Sequence, residues 1–193
     1  TPSTVFNRIE VTDDEVKVVY INATLLDIKA IRNIVGELNA NDYDNAIINL
    51  GVEEQELLAS IPESLHKMVP KGGTVDQSLD ILGDIKEIIS QLNPKKGFFA
   101  SFFKKDADAV KGKVSVLSKE LKTKIPELEK VKDVVFNLRK NAKTFKQQLE
   151  YHAAAIKLLK GKIDEKHNFA LDNRIGTMYL SNTIADQSIQ LIE

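Results

Sequence analysis

The chain has 193 residues, 42% of them apolar, and carries 27 Lys and Arg against 28 Asp and Glu. It has no Cys, which excludes disulfides, thiolate zinc sites and redox chemistry on the chain's own thiols. No run of about 18 apolar residues predicts a membrane-spanning helix, and the start lacks a signal-peptide core. A cytoplasmic location is the expectation.

In chain order, β-branched residues at Val5–Val11 and Val16–Ile21 flank Thr12-Asp13-Asp14-Glu15 and permit a small β-hairpin over 4–21. The period then changes. Leu25, Ile28, Ile31, Ile34, Val35 and Leu38 predict a helix capped by Thr24 and closed by Asn39–Asp42. A short helix over 43–48 ends at Leu50-Gly51, and another over 53–69 holds Pro62, a predicted kink. Pro70-Lys71-Gly72-Gly73 stops it, and Thr74 is expected to cap a helix reaching about Leu92. The buried stripe predicted for that helix is Leu79, Leu82, Ile85, Ile88, Ile89 and Leu92.

Asn93-Pro94-Lys95-Lys96-Gly97 and an aromatic stretch follow, and then a heptad seam from Ala107 to Ile163. Its seventeen positions are spaced 3–4–3–4, and only Lys124 and His152 are not apolar. A helix of that length would reach roughly 85 Å. Pro126 lies at an outward position, and the seam stays in phase from Leu121 to Leu128. A kinked, continuing helix is preferred over a reversal. A last helix from about Leu171 carries Leu171, Ile175, Met178, Ala185, Ile189 and Ile192 on one stripe. The chain is expected to have been trimmed ahead of Thr1 and to continue past Glu193.

The small net charge of −1 conceals a polarised chain. Residues 1–94 hold 7 basic and 16 acidic residues (net −9), and residues 95–193 hold 20 and 12 (net +8). The two halves either face each other, within or between chains, or the basic half meets an anionic surface. Nucleic acid is the weaker partner, because the basic half has no separate tail and its aromatics are clustered.

The candidate contact site is the aromatic–basic stretch Phe98, Phe99, Phe102, Phe103, Lys104 and Lys105. Its spacing puts four Phe on one helical face, so it serves either as a plug at the end of a bundle or as a membrane or partner contact. His66, His152 and His167 lack metal-ligand spacing, and structural roles are expected for them. Pro70–Thr74 resembles a phosphate loop only in its glycines and reads as an interhelical turn. Lys124 and His152 on the seam would set register or partner choice, or else be exposed at a kink. Asn22-Ala23-Thr24 is taken as a chance sequon. No catalytic, cofactor or metal pattern is present.

Leu50-Gly51-Val52-Glu53-Glu54-Gln55 is similar to the G-x-E-x-Q helix start of the TelA (KlaA-like) toxic anion resistance family. In the same order, the helix over 79–92, the connector from Gly97 to Lys105, Leu149–Ala154, Arg174-Ile175 and Ile184–Ser188 with Leu191-Ile192 resemble that family's helix signatures. The likeness runs over roughly residues 25–193. It implies an all-helical cytosolic protein associated with tolerance of tellurite and similar anions and with envelope stress, and it supplies no catalytic residues. The hairpin region has no counterpart in the family. The fold expected is all-α, an elongated helical bundle with a long, kinked, antiparallel heptad arm. A helical cap over 1–50, with or without the hairpin, precedes a bundle over 51–193. The expected function is non-enzymatic, through contacts with a helical partner or a second copy; the alternative is a membrane-active protein anchored through Phe98–Phe103.

Overall fold

A computed structural model describes residues 9–38, 42–91 and 103–192. Every regular element among them is helical: α1 Asp13–Val19, α2 Leu25–Glu37, α3 Tyr43–Asn49, α4 Val52–Met68, α5 Thr74–Gln91, α6 Phe103–Leu159 and α7 Asn168–Ile192. A 3-10 turn at Glu165–His167 leads into α7. No helix among the described residues is long and apolar enough to cross a membrane. The chain divides into two compact units, one of Thr1–Pro62 with Leu138–Glu193 and one of Glu63–Asn137. The boundary expected from the sequence lies between residues 50 and 51.

The hairpin considered for 4–21 is corrected by α1. Thr12 and Glu15 form a capping box, in which the Thr12 N–H donates to Glu15 Oε2 at 2.8 Å and the Glu15 N–H donates to Thr12 Oγ1 at 3.3 Å. Satisfying two orphan N–H groups this way starts a helix where β-branched content suggested a strand. Thr24 and Asp27 repeat the device at the start of α2, as the cap at Thr24 predicts. Arg32 on α2 bonds Asp13 on α1 at 2.8 Å.

The first unit is organised on the end of α6. Ala153, Ala154, Ala155, Ile156, Leu158 and Leu159 are all buried, and within this stretch only Lys157 is exposed. Helix α7 runs antiparallel to it: Lys160 meets Asp172 at 2.6 Å, Lys157 lies 5.2 Å from the Tyr179 ring centre, and Lys146 meets Asp186 at 2.5 Å. The predicted stripe of α7 is turned inward, with Leu171, Met178, Ala185 and Ile189 buried. Helix α6 stops at Leu159, short of the last seam position. There the N–H groups of Lys162 and Ile163 both turn back to the Leu159 carbonyl, and Gly161 adopts φ +98°.

In the second unit, the Gly73 N–H closes a turn on the Pro70 carbonyl at 3.0 Å, and Gly72 takes φ +74°. The carbonyl of Gly73 accepts the first helical bond of α5, from Gln77, so Gly73 rather than Thr74 is the cap. Helix α6 passes through Pro126 without interruption. Lys124 on the seam donates to Gln77 Oε1 at 2.8 Å, an exposed bond that joins α6 to the first turn of α5.

The stripe expected to be buried on α5 is corrected here. Ser78 and Ile81 are buried and Ile85 and Ile88 half-buried, whereas Leu79, Leu82 and Ile89 are 60%, 48% and 54% exposed. Both sets have helical spacing, and pairing with α6 selects the first. The seam of α6 is half-covered from Val110 to Leu138 and buried at Ala142, Leu149, Ile156 and Leu159.

Two glycines test this packing from opposite sides. Gly51 holds φ +68°, and an added Cβ would lie 2.9 Å from Leu149 Cδ2 and 3.2 Å from Met178 Cε. Gly51→Ala should cost more than about 1 kcal/mol. Gly83, inside α5 with open space around it, should behave oppositely, with Gly83→Ala adding about 0.5–1 kcal/mol. Urea unfolding followed by helical circular dichroism measures both.

Candidate functional site

Of the aromatic–basic candidates, Phe98, Phe99 and Phe102 lie outside the described residues. Phe103, Lys104 and Lys105 open α6, but their side chains are not among those described. The residues that can be followed form two polar clusters in the first unit, neither evident from spacing in the sequence.

The first joins the α3–α4 corner to α7. Leu50 ends α3, Gly51 turns the chain, and the Gln55 N–H bonds back to the Gly51 carbonyl at 3.1 Å to begin α4. Into this corner α7 extends Arg174. Its Nε donates to the Leu50 carbonyl at 2.8 Å, and its Nη2 reaches the same carbonyl and Gln55 Oε1. Gln55 Nε2 in turn donates to Ser181 Oγ at 2.7 Å and to the Thr177 carbonyl at 3.3 Å. Burial lowers the pKa of Arg174, whose guanidinium here is solvated by protein oxygens.

On the other side of Gly51 stand Leu149, Met178 and His152. His152 Nε2 lies 3.5 Å from Glu54 Oε1, and its Nδ1 is buried without a hydrogen-bond partner among the described residues. Thus Gly51, Gln55, Leu149, His152 and Arg174, drawn from three segments distant in sequence, meet at one corner.

The second cluster braces α2 against α6. Tyr151 donates to Asp27 Oδ1, while the Thr24 N–H and hydroxyl both donate to Asp27 Oδ2 at 2.7 Å. The Tyr20 ring lies 5.6 Å from that of Tyr151. The Tyr151 bond, with help from Thr24, lowers the Asp27 pKa, and burial followed by Asp27 raises that of Tyr151. Burial and the nearby Glu150 and Asp27 carboxylates also raise Tyr20. A carboxylate with both oxygens engaged and a lowered pKa is a poor general base, and a raised phenol is a poor proton donor at neutral pH. The arrangement is a brace.

Around it, Lys162 grips Glu15 at 2.8 Å and holds that carboxyl down at about 2. His167 Nδ1 meets Asp44 at 2.5 Å with the Tyr43 ring edge-on. His66 is exposed near the end of α4. Among the described residues no group of three or more His, Asp or Glu could hold a metal ion.

Tyr151→Phe should destabilise the protein by about 1–3 kcal/mol, because it leaves a buried carboxylate oxygen without its donor. The acid side supplies a second reading. A lowered pKa means that Asp27 contributes stability above the ordinary carboxyl value of 3.8, lost as pH falls through its lower folded value. In Tyr151→Phe the fall in stability below about pH 4 should be shallower than in the wild type, as read by unfolding at stepped pH. Arg174→Met should likewise cost about 1–3 kcal/mol, by leaving the Leu50 carbonyl and Gln55 without a donor.

Compared with known proteins, the chain matches no family model, no curated protein and no solved structure.

Proposed function

We propose that this protein is a non-enzymatic, cytoplasmic helical scaffold that supports tolerance of toxic anions such as tellurite, and of envelope stress, through contacts with other helices. The contact half of this reading is carried by one observation: the α6 seam from Val110 to Leu138 is only half-covered. A heptad stripe of that length is stable when a further helix lies along it. The Arg174–Gln55 and Tyr151–Asp27 contacts of the first unit support the same view, since these groups are spent on one another.

The anion half rests on the resemblance of Leu50–Gln55, Leu149–Ala154, Arg174-Ile175 and Ile184–Ser188 to the TelA family. A chain without Cys cannot reduce tellurite on its own thiols, so protection would run through partners.

Growth of a tellurite-sensitive host is the test. Expression of the wild type should raise the tellurite concentration the host survives. The double variant Leu128→Asp with Val135→Asp, at two half-covered seam positions, should lose that protection while keeping its helical circular dichroism. Unchanged survival with the wild type overturns the anion reading. Full protection by the folded variant overturns the contact reading.

A further inference from the structure

Seen from the side, the pair formed by α5 and α6 in the second unit has two unlike faces. On α5 the inward positions are Ser78, Ile81, Ile85 and Ile88. The residue after each inward position is turned by about 100°. That places Leu79, Leu82, Lys86 and Ile89 on one flank, all exposed. On α6 the inward positions Val110, Val114, Leu117, Leu121 and Lys124 give Lys111, Ser115, Ser118, Lys122 and Ile125 by the same step. Because the helices are antiparallel, equal steps turn both sets to the same side. This flank is an apolar ridge of Leu79, Leu82 and Ile89, bordered by Lys86, Lys111 and Lys122, and these sets contain no carboxylate.

The opposite flank is a groove. It is open, about 770 Å³, with Ile88, Leu117, the 65% exposed Val116 and the bare backbone of Gly112 along it. Asp84 and Glu87 border it with Lys113, and helical spacing adds Asp80 and Glu120 to the same side. A cationic ridge and an acidic groove on opposite flanks of one helix pair are complementary to each other, and each is like-charged to itself. Two ridges would bring lysines together; a ridge in a groove pairs lysine with carboxylate.

We propose that the second unit binds a second copy of the chain head to tail, the ridge of α5 in one copy seated in the α5–α6 groove of the next. The contact is heterologous, so a pair of copies keeps one ridge and one groove free and association can continue. This deepens the contact-scaffold reading and rests on it. Self-association is read on purified protein and survival in cells, so the failure of either is seen separately.

Sedimentation velocity on the full chain tests the proposal. The weight-average mass of the wild type should rise with concentration at about 50 mM salt and fall at about 500 mM. The ridge variant Leu82→Asp with Ile89→Asp should be monomeric, and so should the groove variants Val116→Asp and Gly112→Leu, all with wild-type helicity. An equimolar mixture of a ridge variant and a groove variant should form one-to-one dimers and stop there, because only one good ridge and one good groove remain.

A wild type that is monomeric at every concentration overturns the proposal, as does a mixture that stays monomeric or a folded ridge variant that still associates. A monomeric wild type that binds anionic vesicles through Leu82 and Ile89 would assign the ridge to lipid and overturn it as well.

Discussion

The end of α6 is buried from Ala153 to Leu159 except at Lys157, and the first unit is built around that burial. Three successive alanines, Ala153 to Ala155, present little side chain, so neighbouring elements can approach this stretch closely. Close approach removes water from the backbone and from every polar group nearby, and each of those groups then needs a partner inside the protein. Arg174 answers this with main-chain and amide oxygens, and Asp27 with a phenol, a hydroxyl and an N–H. The polar clusters are consequences of the packing, and they make it specific.

The same helix meets a different demand in the second unit. From Val110 to Val135 its seam has α5 beside part of it and stays half-covered. Here apolar area remains available, and charge is sorted between two flanks instead of being consumed internally. One unit spends its chemistry on itself; the other keeps it at the surface. That contrast underlies a reading of the protein as something that is held together in one part and holds others in another.

Much of the helical order was legible in the sequence. The cap at Thr24, the stop at Pro70–Gly73, the inward stripe of α7 and the passage of α6 through Pro126 all follow from spacing and turn chemistry. The start of α1 was legible too, since Thr12 and Glu15 have capping-box spacing, but the β-branched residues around them pointed elsewhere. The stripe of α5 was not decidable locally: two apolar sets one residue apart each satisfy helical periodicity, and only the facing helix chooses. Tyr151 with Asp27, and Arg174 with Leu50, lie more than a hundred residues apart in sequence, and no spacing rule joins them.

The one-residue offset on α5 has a bearing on conformational uniqueness. Turning the helix by about 100° would exchange Ile81, Ile85 and Ile88 for Leu82, Lys86 and Ile89 against α6. Two of those exchanges are nearly neutral in volume and hydrophobicity. The third would carry an ammonium into the interface, and the Lys124–Gln77 bond would be lost with it. The hydration of Lys86 and the Lys124–Gln77 bond thus both oppose the turn, while exchange of the buried Ser78 for Leu79 would favour it. In this part of the chain the choice between two apolar faces of one helix falls to polar groups at its margin.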